Sequence, residues 1–89
     1  MTARPVRLQR SVRVRVGTDR GFLFDERSGR VYSLNATAAV AAAGLRDQRP
    51  EADIVTEVTA AFAVEPAVAR RDLERFIEHL LQEGLATRG

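Results

Sequence analysis

Between Leu34 and Ala36 the hydrophobic period of this chain changes, and that switch limits the folds open to it. Before it, apolar and polar residues alternate with the period of a strand. After it, alanines and then widely spaced large apolar residues follow the 3.6-residue period of helices. A run of strands followed by a run of helices belongs to the α+β class. At 89 residues, the sequence can form one domain with a single modest core.

The strand half reads in detail as a meander. In Ser11-Val12-Arg13-Val14-Arg15-Val16 the valines share one face and the arginines the other. Gly17-Thr18-Asp19-Arg20-Gly21 is a turn, Phe22 to Asp25 resumes a strand, and Glu26-Arg27-Ser28-Gly29 is a second turn. Val31 to Leu34 is a third, short strand. Residues 1–10 carry Arg4, Arg7 and Arg10 without periodicity and read as a flexible basic arm or edge segment, and residues 87–89 as a tail. The domain proper is then 11–86.

Asn35 supplies a helix N-cap, its side-chain oxygen accepting from an amide two or three residues on. A first helix runs from Ala36 to Arg46. Pro50 suits the cap region of a second helix over Glu51–Phe62, and Pro66 opens a third that Gly84 ends. Ala69, Leu73, Phe76, Ile77, Leu80 and Leu81 form the longest apolar stripe, so the third helix is the expected cover for the inner face of the sheet. The expected architecture is winged-helix-like: a three-stranded antiparallel sheet followed by three helices.

Little in the sequence favours catalysis. There is no Cys and a single His, His79, so neither a thiolate nor a His cluster is available. The turn at Gly17 lacks the Lys and Ser/Thr of a phosphate loop. Asn35-Ala36-Thr37 fits the glycosylation pattern, but Asn35 is needed as a cap. The expectation is no enzyme, no metal and no cofactor. No apolar run approaches a membrane span or a secretory signal, which points to a soluble, cytoplasmic protein with no membrane partner.

Charge is uneven. Residues 1–30 hold eight arginines against three acids, and the remainder six against nine. A small winged-helix DNA binder is therefore the alternative to weigh. The helices argue against it: the second has Glu51, Asp53 and Glu57 and no Arg, and the third carries more acids than arginines, the wrong sign for phosphates. Nucleic acid is not expected as a partner. On the third helix, Arg70 or Arg71 with Glu74, and Arg75 with Glu78, read as surface ion pairs. The third strand, ended at once by a helix, leaves an edge that can accept a guest strand, serve dimerisation, or simply be too short to do harm.

The run Gly29-Arg30-Val31-Tyr32-Ser33-Leu34-Asn35-Ala36-Thr37-Ala38-Ala39 resembles the strand-to-helix signature of the PqqD family. Ile54-Val55-Thr56-Glu57-Val58, the link Phe62-Ala63-Val64-Glu65-Pro66, and Asp72-Leu73 followed by Phe76 to Leu85 resemble its later segments in order. The resemblance implies a non-enzymatic recognition element for ribosomally made, post-translationally modified peptides (RiPPs). Such a chaperone binds the leader of a precursor peptide as a strand beside the third strand, over a groove floored by the third helix. It presents that precursor to a modifying enzyme, such as a radical SAM protein or a leader peptidase, in natural-product or cofactor biosynthesis. Carried over by position, the peptide-binding residues are Val31, Tyr32, Ser33 and Leu34 with Ala69, Asp72, Leu73, Arg75 and Phe76. The chain departs from the family pattern at the small Ala41, Ala42 and Ala43, which imply a first helix seated closer to its neighbours or a wider cleft, and at Gln48, where Gly is usual.

Overall fold

The computed structural model describes residues 5–89. In chain order these form β1 (Val6–Leu8), β2 (Val12–Val16), β3 (Arg20–Asp25), β4 (Val31–Asn35), α1 (Ala36–Arg46), α2 (Glu51–Phe62), α3 (Pro66–Gln82) and β5 (Ala86–Arg88). The α+β meander followed by three helices is present, with β2, β3 and β4 forming an antiparallel sheet in that order. Strand alternation sorts the side chains: Val12, Val14, Leu23 and Leu34 are buried on the inner face, while Arg13, Arg15, Phe22 and Val31 are exposed on the outer one.

The register of the sheet is fixed at one end by a buried carboxylate. Asp25, 4% exposed, accepts hydrogen bonds from Ser11 Oγ at 2.8 Å, Ser28 Oγ at 2.9 Å and the Arg27 amide at 3.1 Å. These donors, the Ser11 hydroxyl first, hold its pKa below the ordinary carboxylate value. One side chain thereby ties the loop before β2 to the β3–β4 turn.

The helix that lies across the sheet is α1, which packs against β2, β3 and β4. This corrects the expectation that α3, with its longer stripe, would take that place. The reason is size: a small-residue helix can approach a sheet more closely than one bearing large side chains. Gly21 lies within β3 rather than in a turn, and a Cβ there would stand 2.5 Å from the Arg15 carbonyl oxygen and 3.1 Å from the Ala39 Cβ. At Gly44 a Cβ would come within 2.7 Å of Ile54 Cγ1, so α1 is seated closely on α2 as well. The core is closed by Ile54 and Val58 of α2, Leu73, Ile77 and Leu80 of α3, and Leu85.

Residues 6–8, read from sequence as arm or edge segment, form a strand, and so do residues 86–88, which include part of the expected tail. β1 and β5 pair antiparallel, Val6 opposite Arg88 and Leu8 opposite Ala86, in a separate two-stranded sheet. Val6, Leu85 and Ala86 are buried, which anchors this pair to the core. Met1 to Arg4 of the expected arm lie outside the described residues.

Candidate functional site

The abrupt end of β4 is produced by Asn35. Its Oδ1 accepts from the Ala38 amide at 2.8 Å, so α1 begins at the residue after the strand. The chain turns away, and β4 remains the last strand of its sheet. Among the described residues no strand covers its other edge.

The register shows which backbone groups that edge offers. The Asp25 amide donates to the Arg30 carbonyl at 2.9 Å, which sets Asp25–Arg30 at a hydrogen-bonding position of the ladder. Hydrogen-bonded and open pairs alternate in antiparallel sheets. Leu23–Tyr32 is then hydrogen-bonded within the sheet, whereas Phe24–Val31 and Phe22–Ser33 are open pairs. The N–H and C=O groups of Val31 and Ser33 therefore point away from β3, toward the empty edge. Two residues give two donors and two acceptors.

Beside this edge lie two adjoining hollows. The first, of about 290 Å³, is lined by Tyr32, Ser33 and Leu34 of β4, Ala38 of α1, and Phe76, His79 and Leu80 of α3, with Leu23 and Leu85 behind. The second, of about 310 Å³, is lined by Thr37, Ala38 and Ala41 of α1, Val58 of α2, and Ala69, Asp72, Leu73, Arg75 and Phe76 of α3. Asn35, Ala38 and Phe76 belong to both walls. The helix displaced from the sheet face thus forms the far bank of a groove along β4.

The structure brings eight of the nine residues named from sequence onto this groove, in two groups joined at Phe76. Val31 contributes its backbone to the edge, but its side chain lies on the outer face of the sheet and lines a different hollow. Ala69 and Leu73 are buried floor, Asp72 and Arg75 are exposed rim, and half-buried Phe76 is both core contact and groove wall. Arg75 makes no ion pair with Glu78, nor Arg70 or Arg71 with Glu74, within 4.0 Å among the described residues. Arg75 and Asp72 both line the second hollow, so a positive and a negative side chain belong to its rim.

Sequence reading missed Thr37, Ala38, Ala41 and His79 as groove residues. The signal for the first three was Asn35 itself: a cap one residue beyond the strand puts the first turns of the helix against the strand edge. His79 lies one helical turn beyond Phe76, in the direction of the strand. At the far end, the Tyr32 hydroxyl and then Glu83 raise the pKa of the Arg30 guanidinium, and Arg30 Nη1 stands 3.7 Å from Glu83 Oε1. Tyr32 also approaches Glu83 at 3.4 Å, so the start of β4 is tied to the end of α3.

A larger hollow, of about 960 Å³, opens between the start of α2, α3 and β1. On its rim Arg49 pairs with Glu57 and Arg88 with Glu51, and the strands beside it, β1 and β5, are paired with each other. Among the described residues no group of three His, Asp or Glu stands close enough to hold a metal, and no helix is long and apolar enough to cross a membrane.

Comparison with known proteins agrees with this geometry. The family model described as coenzyme PQQ synthesis protein D (PqqD) matches residues 20–86. No curated protein sequence matches. Among solved structures, a lasso peptide synthetase B1 complexed with its leader peptide is 31% identical, with a TM-score of 0.78 over 93% of this chain and 98% of that one. TbiB1 in complex with the TbiA(beta) leader peptide shares the fold at 21% identity, with a TM-score of 0.79 over 90% of this chain and 93% of that one.

Proposed function

The chain belongs to the PqqD family, and from that premise we propose that it binds the leader of a ribosomally made precursor peptide as an added strand on β4. The observation that carries this reading is the open edge of Val31 and Ser33 running along a groove with apolar walls. A guest strand takes backbone hydrogen bonds from the edge and places alternate side chains in the hollows. Each net backbone bond contributes about 1 kcal/mol, and each well-buried apolar anchor about 2 kcal/mol. The solved structures of similar proteins are complexes with leader peptides, which supports a leader peptide as the ligand of this chain.

The protein acts without chemistry of its own. It holds the leader in the cytoplasm and presents the rest of the precursor to a separate modifying enzyme, such as a radical SAM protein or a leader peptidase. Asp72 and Arg75, at the rim of the second hollow, meet charged groups of the leader. Duplex DNA is not the partner: the third helix, which would have to enter a groove of DNA, gives its face to the core and to the β4 groove instead.

Amide NMR during titration with the cognate leader tests the reading. Shifts are expected at Val31 to Leu34 and along Ala69 to Phe76. A titration that leaves both regions unmoved refutes it. Mass spectrometry of the precursor after incubation with this protein alone should show no change of mass.

A further inference from the structure

The outer face of the sheet is not used by the groove, yet it is not an ordinary solvated face. The register aligns two cross-strand rows on it: Arg13–Phe24–Val31 and Arg15–Phe22–Ser33. Each runs from an arginine on β2, through a phenylalanine on β3, to a smaller residue on β4. Phe22 is 44% exposed and Val31 60% exposed. A hollow of about 430 Å³, lined in part by Phe22, Val31 and Ser33, opens here. Contiguous exposed aromatic and aliphatic surface of this kind marks a contact site.

We infer that this face docks the modifying enzyme, through an apolar projection of that enzyme placed next to a carboxylate. The inference rests on the leader-binding reading and extends it. Charge selects the occupant. Arg13 is paired with Glu26 at 3.3 Å and Arg20 lies near Asp19 at 3.7 Å, so Arg15 is the arginine of this face without an ion pair among the described residues. One available guanidinium beside two phenylalanines suits a protein surface with an apolar centre and a nearby acid. Nucleic acid would call for several phosphate contacts. A second copy stacked on this face would bring Arg15 against a surface whose acid, Glu26, is already engaged.

The face is also continuous with the guest strand. A leader residue opposite Val31 or Ser33 points to the same side of the sheet and extends its row by one position. The docking surface is therefore completed by bound leader, and the enzyme meets a larger surface on the loaded protein than on the empty one. Phe22 itself lies two strand spacings, roughly 10 Å, from such a leader residue, so its loss should leave leader binding intact.

The test uses the full chain, a fluorescein-labelled cognate leader and the purified enzyme that modifies the same precursor. Leader affinity is read by anisotropy, and enzyme affinity for the leader-loaded protein by biolayer interferometry. Phe22→Ser and, separately, Arg15→Glu should weaken enzyme binding about 10-fold or more, the size expected for loss of a central interface residue, while leader affinity stays within about 2-fold. Wild-type enzyme affinity in both variants overturns the inference, and so does an equal loss of leader and enzyme binding. Oligonucleotide binding or dimerisation abolished by Phe22→Ser assigns the face to another occupant and likewise overturns it. Failure of the unmodified chain to bind leader refutes the leader-binding reading first, and is distinguished by the anisotropy arm alone.

Discussion

Proline placed at two adjacent positions of β4 should have opposite effects. Proline removes a backbone N–H and is tolerated on an edge strand only where that N–H faces outward. The Ser33 amide points to the empty edge, whereas the Tyr32 amide belongs to the hydrogen-bonded pair with Leu23. Ser33→Pro should therefore keep the fold, with a stability change within about 1 kcal/mol. It deletes one donor to the guest, about 1 kcal/mol, and its ring obstructs the neighbouring bond, for a total near 2 kcal/mol. That is roughly a 30-fold loss of leader affinity. Tyr32→Pro breaks a ladder bond inside the sheet and should cost about 3 kcal/mol of stability. Urea unfolding gives the stabilities and anisotropy with labelled leader gives the affinities. If Ser33→Pro binds leader like the unmodified protein, or if Ser33→Pro unfolds while Tyr32→Pro does not, the assignment of outward-facing groups on β4 is wrong.

Three further outcomes follow from the packing. Gly21→Ala should destabilise by about 1–3 kcal/mol, the usual cost of overpacking, because its Cβ would meet backbone at 2.5 Å; chemical denaturation measures this. Asn35→Ala should cost about 1 kcal/mol through loss of the cap and loosen the turn between β4 and α1, seen as faster hydrogen exchange at Ala38. Asp25 has a folded pKa lowered from 3.8, so its contribution is present above that value and is lost as pH falls through the folded pKa. Asp25→Asn should accordingly be less stable at neutral pH and show a flatter decline in stability below about pH 4, and an unchanged acid-unfolding curve would count against the role given to Ser11 and Ser28.

Local chemistry was legible in the sequence, and contacts between distant segments were not. Asn35, Pro50, Pro66 and Gly84 act through groups within a few residues of themselves, so the three helices could be delimited from sequence. The choice of helix to cover the sheet could not be read from stripe length. It depends on Ala39 meeting Gly21, a fit between residues far apart in the chain that neither one announces alone. The β1–β5 pair was missed for a related reason: three-residue strands carry almost no periodicity and exist because their partner is present. Ala63 ends α2 in the left-handed region at φ 53°, where glycine would have signalled the stop. The strand and α3 residues of the groove were found through family resemblance, while the first turns of α1 and His79 entered it only when the helices were placed.

Val6 stands opposite Arg88, so the polypeptide enters and leaves the domain at a single point, stitched by its own small sheet. Such a unit is easily transplanted. It can be spliced into a surface loop of another protein with two short connectors, since the host need supply only the few ångströms that separate neighbouring strands. The open edge of β4 lies in the other sheet and takes no part in that junction. Tethering the domain to an enzyme would replace diffusion by a fixed local concentration, with no change to the residues of the β4 groove.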